Sequence, residues 1–372
     1  MDMDKGLREA ALEIIDAAIA AVRPEECVRR ALRLDGRVLY VGDARIDLGR
    51  IRRIYVVGFG KASAGMARAV EACLGDRISG GLVITADGYR VPTDKVEVRE
   101  AGHPVPDERG LSAATELLSI VEEADEDDLV LVLISGGGSA LLTAPAEGIS
   151  LGDLARTNEL LLRSGAKIQE INAVRKHLSR AKGGQLARLA QPARVVSLII
   201  SDVVGDPLDS IASGPTVPDP TTFSDAIAIL KRYGIWDEAP RSVREHLLRG
   251  AAGKISETPK PGDHCFARVL NLVVGSGRHA AEAALRKGKG LGFRGMILTT
   301  TLEGEAREVG RVLAAVAREL RRYKRPISPP AILVLAGETT VTVRGKGKGG
   351  RNQELALSAA LGIEGLGKVV IA

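Results

Sequence analysis

Cysteine is scarce. Cys27, Cys73 and Cys265 are too few and too far apart in 372 residues for a disulfide framework or a zinc motif, and no CxxC or HExxH occurs. Aromatic residues make up 3% of the chain, which leaves few stacking platforms for single-stranded nucleic acid. No apolar run is long enough to span a bilayer. Met1–Gly6 is polar, and the helix predicted after it carries Glu9, Glu13 and Asp16, so neither a signal peptide nor a membrane anchor is read. The expectation is a cytoplasmic chain with no membrane partner. Asparagine and glutamine, four of each, are scarce beside the many Arg, Glu and Ile, which points to a thermophilic source.

What the chain does contain is 45% hydrophobic residues and 43 glycines, the composition of an α/β enzyme packed through small residues. At 372 residues it is long enough for two domains. Its formal charge is 52 − 47 = +5. The cations are scattered rather than clustered, so a small anionic substrate accounts for the balance and no nucleic-acid partner is expected.

Periodicity predicts an amphipathic helix over Leu7–Val22, then a minor strand at Val38–Val41. Buried strands are read at Ile54–Val57, Gly81–Thr85, Val96–Glu100, Leu129–Ile134 and Arg194–Ile200. Helices fall at Glu108–Glu123, with Asp107 as N-cap, and at Leu151–Arg163, Phe223–Tyr233 and Ser242–Leu248. Another, Ile171–Lys182, is expected to end on a C-cap pair, Gly183–Gly184. The aperiodic, Gly/Pro/Lys-rich Ala251–Asp263 is read as the domain boundary, giving domains 1–257 and 258–372. Beyond it come strands Val269–Val274, Gly295–Thr300, Ala331–Ala336 and Thr339–Val343, and helices from Arg278, over Glu305–Arg322 and over Leu355–Leu361. Strands separated by helices argue an α/β fold of mostly parallel sheets with helices on both faces.

Ligands of such sheets bind beyond the carboxyl ends of strands, so the strand-to-helix loops carry the chemistry. Gly58–Gly65 (GFGKASAG) places Lys61 at a turn; it is neither a Walker A loop nor GxGxxG, because Ala62 and Ser63 stand at deciding positions. A tight turn with a solvated lysine is the plainer alternative. Ser135–Ser139 (SGGGS) joins three glycines and two hydroxyls at a helix start, suited to an oxyanion or phosphate. Asn172, Arg175 and Lys176 share one helix face. Asp202, Asp206 and Asp209 lie in a Pro/Gly-rich loop; they are either turn formers or carboxylates for a hydrated Mg²⁺. His103, before Pro104, is read as a turn or packing residue. Arg344–Glu354 (RGKGKGGRNQE) alternates glycine with four cations ahead of a helix, which is either an anion site or a flexible basic hairpin.

Six stretches, GFGKASAGM, AGHPVPDERG, LISGGGSALL, INAVRKHLSRAKGG, SDVVGDPLDSIASGPTVPD and GETTVTVRGKGKGGRNQE, occur in the order of the class II glycerate kinase family, whose C-terminal part is the MOFRL domain. The resemblance spans about Ile54 to Leu361. It implies two α/β/α three-layer domains facing across a cleft, and phosphorylation of D-glycerate with ATP and Mg²⁺, commonly to 2-phosphoglycerate, by a monomer or homodimer. The family's essential cations fall on Lys61 and Arg351. The implied phosphate and substrate set is Ser135, Gly136, Gly137, Gly138, Ser139, Asn172, Arg175, Lys176, Glu338, Gly349, Gly350 and Asn352, with Asp202 and Asp206 for metal; Asp202 is alternatively an orienter of the substrate hydroxyl. Both cations would clamp one phosphoryl group as the cleft closes. Family members have also carried the label hydroxypyruvate reductase, but the broken dinucleotide fingerprint argues against hydride transfer. A non-catalytic anion-binding module is the third reading. Where the chain stops, at Val369–Ala372 in a strand-like run, family members continue, so a fragment or a short variant is expected.

Overall fold

A computed structural model describes residues 3–372, with side chains from residue 6 onward. Its strands are β1 (Leu32–Asp35), β2 (Val38–Val41), β3 (Ala44–Asp47), β4 (Arg53–Phe59), β5 (Gly80–Ala86), β6 (Glu97–Ala101), β7 (Asp128–Ile134), β8 (Arg194–Ile200), β9 (Val269–Gly275), β10 (Arg294–Glu305) and β11 (Ala331–Thr340). The helices are α1 (Met3–Ala21), α2 (Pro24–Ala31), α3 (Ser63–Leu74), α4 (Glu108–Glu122), α5 (Gly138–Leu141), α6 (Leu151–Arg163), α7 (Ile168–His177), α8 (Gln185–Leu189), α9 (Phe223–Arg232), α10 (Arg241–Ala251), α11 (Gly277–Gly290), α12 (Ala306–Tyr323) and α13 (Arg351–Gly362).

The chain divides into two compact units. The larger is Pro24–Asp202 with Asp206–Val274; the smaller joins α1 and the chain to Arg23 with Val203–Gly205 and Gly275–Ala372. In the larger unit a six-stranded sheet runs in the order β6-β5-β4-β7-β8-β9. The pairs from β6 through β8 are parallel. Every residue of β7 is buried, as its unbroken apolar run requires of a central strand covered on both faces. Its first residue, Asp128, is fully buried but held by Arg52 and Arg53. β1, β2 and β3 form a separate antiparallel sheet. Asp107 caps α4 by accepting from the Gly110 N–H, as expected. A second core gathers α6, α7, α9 and α10 around Leu161, Val174, Phe223 and Leu247.

In the smaller unit β10 and β11 form a two-stranded parallel sheet. Helix α11 packs on it with α1, through Ala281, Ala284, Val334, Ile14 and Ala18. Helices α12 and α13 pair with each other. Among the described residues, no helix is long and apolar enough to cross a membrane.

Several local expectations are corrected. α7 ends at His177, and Gly183–Gly184 precede α8, with Gly184 at its N-cap, rather than capping α7. Ala251–Asp263 docks within the larger unit: Glu257 accepts from His177 Nε2 at 2.8 Å, and Thr258 is buried and donates to Asp219. The division therefore falls at Val274/Gly275 instead of 257/258, because β9 joins the larger sheet; Asn271 Nδ2 donates to the Thr216 carbonyl at 3.1 Å. Ala331–Ala336 and Thr339 belong to one strand. A Cβ at Gly337 would collide with the Leu302 backbone, so this glycine admits close pairing where it resembles a break. Beyond Thr340 no strand continues, Arg351 rather than Leu355 opens α13, and Val369–Ala372 has no regular structure.

Candidate active site

In the larger sheet the chain steps outward from β4 to β5 and β6, then returns to β7 and continues to β8 on the other side. Strand order therefore reverses between β4 and β7. Parallel neighbours diverging in this way leave a crevice at their carboxyl ends. The Lys61 loop follows β4 and the Ser135–Ser139 loop follows β7, so both open at this crevice.

The two loops are laced together by their backbones. Lys61 N–H donates to the Gly136 carbonyl at 2.9 Å, and Ser135 N–H to the Phe59 carbonyl at 3.1 Å. Ser135 is buried and its hydroxyl accepts from the Ala62 N–H at 3.0 Å. Gly137 has φ +84, and a Cβ there would stand 3.0 Å from Cδ2 and Nε2 of His103 and 3.6 Å from Cε of Lys61. A Cβ on Gly136 would collide with the Asp202 carboxylate. Glycine is needed at both positions because functional side chains crowd against the backbone. Gly138 opens α5 and is buried.

Lys61, His103 and Asp202 thus surround one glycine turn. Among the described residues, none of the three side chains has a hydrogen bond or ion pair. The sequence marks His103 only through the AGHPVPDERG stretch, as a turn or packing residue, because the groups it faces are distant in sequence. Burial, and then the nearby Lys61 charge, push its imidazole below the usual value, against an opposing pull from Asp202.

Behind the turn, Ser139 Oγ lies 3.0 Å from Ser213 Oγ, which donates to Asn172 Oδ1 at 3.3 Å. Arg175, on the same helix as Asn172, is largely buried, donates to Asn158 Oδ1 at 2.8 Å and has no carboxylate partner among the described residues. Lys176 serves differently. Its ammonium sits 3.4 Å from fully buried Asp219 and 3.7 Å from Asp209, which ties α7 to the loop after β8. Lys182, missed in the sequence, is buried with Nζ donating to the Leu142 carbonyl at 2.8 Å. Burial, reinforced by the Arg175 charge, brings its pKa down to about 7.

Asp202 and Asp206 follow β8, and neither carboxylate has an internal partner among the described residues. Among the described residues, no group of three or more protein ligands is placed to hold a metal there. The two carboxylates suit Mg²⁺, which takes one or two carboxylates and completes its shell with phosphate and water. In the smaller unit Arg351 opens α13 and pairs with Glu338 of β11. Gly349, Gly350 and Asn352 are exposed around the start of that helix, where free N–H groups and the positive dipole end attract anions.

Two family models match the chain: a domain of unknown function (DUF4147) over residues 10–248 and the MOFRL family over residues 331–372. A glycerate 2-kinase of Pyrococcus horikoshii is 47% identical, over 98% of this chain and 82% of that protein. A putative hydroxypyruvate reductase of Agrobacterium vitis is 44% identical, over 97% of this chain and 78% of the relative. The crystal structure of a glycerate kinase from Thermotoga maritima superposes with a TM-score of 0.86 at 42% identity, covering 98% of this chain and 81% of that one.

Proposed function

The chain belongs to the glycerate kinase family, and from that premise we propose that it transfers the γ-phosphoryl group of ATP to D-glycerate, giving 2-phosphoglycerate and ADP. The observation that carries this reading is Lys61 standing, unpaired, against the glycine turn at the point where the sheet order reverses. Phosphoryl transfer asks a protein mainly for positioning and charge stabilisation. Lys61 faces the transferring group; Arg351, in the smaller unit, is assigned to phosphate oxygens, its planar fork suited to two of them. N–H groups of Gly136, Gly137 and Ser139 and of the α13 start, with Gly349, Gly350 and Asn352, are donors for phosphate or carboxylate oxygens. Arg175 and Asn172 are assigned to the substrate carboxylate; Lys176 is assigned to holding the loop. Glu338 pairs with Arg351 until an anion displaces it. Asp202 and Asp206 would hold Mg²⁺, which would supply neutralisation of phosphate charge.

The hydroxypyruvate reductase reading meets an obstacle at Ser63, where a dinucleotide fingerprint carries glycine. Its hydroxyl is buried and donates to the Gly60 and Ile84 carbonyls at 2.8 and 3.1 Å. Purified protein incubated with D-glycerate, ATP and Mg²⁺ is expected to release ADP, and with hydroxypyruvate and NADH to leave the absorbance at 340 nm unchanged. NADH consumption without ADP release would overturn the kinase reading; neither activity would favour the anion-binding module.

A further inference from the structure

We propose that His103 is a catalytic residue of the phosphoryl transfer, taking the proton from the attacking hydroxyl of the substrate. This rests on the kinase reading and extends it to a residue outside its charge-stabilising set.

The argument is one of position. The imidazole edge, Cδ2 and Nε2, presses on the face of Gly137 that Lys61 Cε also approaches. Lys61 and His103 therefore flank one face of the same glycine turn. The remaining charged group facing the ring is Asp202, from the loop after β8. A packing histidine normally has both ring nitrogens satisfied, as His177 has, with Nδ1 2.7 Å from the Ala173 carbonyl and Nε2 on Glu257. His103 has no hydrogen bond among the described residues and is partly open to solvent.

In the step itself, the substrate hydroxyl oxygen forms the new bond to the γ-phosphorus. The bond from that phosphorus to the bridging oxygen breaks, and its electron pair leaves on ADP. The hydroxyl proton passes to a ring nitrogen of His103 and returns to solvent after product release. No other reactant is needed.

The test compares the full-length wild type with His103→Ala and His103→Gln in ADP release. Both variants are expected to lose about 10²–10⁴-fold in kcat, the usual contribution of a positioned acid or base. KM for glycerate and for ATP should change little. Added imidazole should restore His103→Ala in a saturable manner, because a partly open ring leaves a hole that a free imidazole can enter, and should leave His103→Gln unchanged. Glutamine keeps much of the volume, so it covers the case in which alanine disturbs folding. Turnover within tenfold of wild type in His103→Gln would overturn the proposal. So would a loss in folded His103→Ala that imidazole does not relieve, which would assign the ring to packing. No ADP release by the wild type itself would overturn the kinase reading, and this proposal with it.

Discussion

Two cations of opposite character stand near the glycine turn. Lys61 is exposed and unpaired, poised for an anion. Lys182 is buried against a carbonyl. Lys61→Ala and Arg351→Ala are each expected to lower kcat by at least about a hundredfold, because each is assigned to charge that develops in the transition state. Arg351→Lys should also be poor, since an ammonium cannot reproduce a planar fork. Steady-state ADP release checks this, and near wild-type turnover in a folded variant would reduce that residue to surface charge. For Lys182 the readout is stability. Its folded pKa of about 7 lies below the ordinary 10.5, so at pH below 7 both states hold the proton and the burial penalty is fully felt. Between about 7 and 10.5 the folded state sheds a proton that the unfolded chain keeps, and this contribution makes stability rise with pH. Urea midpoints at pH 7 and pH 9.5 should show that rise in the wild type and not in Lys182→Met. Neither His103 nor Lys182 was legible in the sequence. What marks each is a neighbour dozens of residues away: Lys61 for the first, Leu142 and burial for the second.

Elements were more legible than residues. β7 and β8 were readable to within a residue because buried parallel strands are apolar throughout, and α6 because its period and Ser150 cap agree. Failures cluster at glycines. The Gly183–Gly184 pair has positive φ at both residues, a conformation that serves a helix start as readily as a helix end. Gly337 resembles a break but permits the closest approach of β11 to β10. Gly137 combines both demands, a left-handed backbone and a crowded face. Gly137→Ala is therefore expected to cost about 2 kcal/mol of stability and to lower kcat as well, because the added carbon pushes on His103. A denaturant midpoint equal to wild type would show that the turn can relax.

On the scale of the whole molecule, acid should act first on the larger unit. Burial opposes the charges of Asp128 and Glu257. Hydrogen bonds from Arg53 and Arg52, and from His177 and the Phe223 and Thr258 N–H groups, outweigh it and hold both carboxyls near 2. Depressed carboxylate values contribute stability that is present above about pH 4.5 and lost as pH falls toward 2. Trp236, the single tryptophan, packs on the core of α6, α7, α9 and α10, so its fluorescence reports on this unit alone. An acid titration should show its signal changing across that window. Glu257→Gln should be less stable at neutral pH and lose less between pH 4.5 and 2; an unchanged profile would mean the pairing contributes nothing. The connectivity has a different consequence, in the order of synthesis. α1 is made before the larger unit, yet Ala281 and Ala284 of α11 and Val334 of β11, which cover its Ile14 and Ala18, are made after it. At ~5–20 residues per second the wait is on the order of tens of seconds. The larger unit can finish folding on the ribosome while the leading helix still carries an uncovered apolar stripe. The smaller unit closes last, joining segments from both sides of a neighbour already complete.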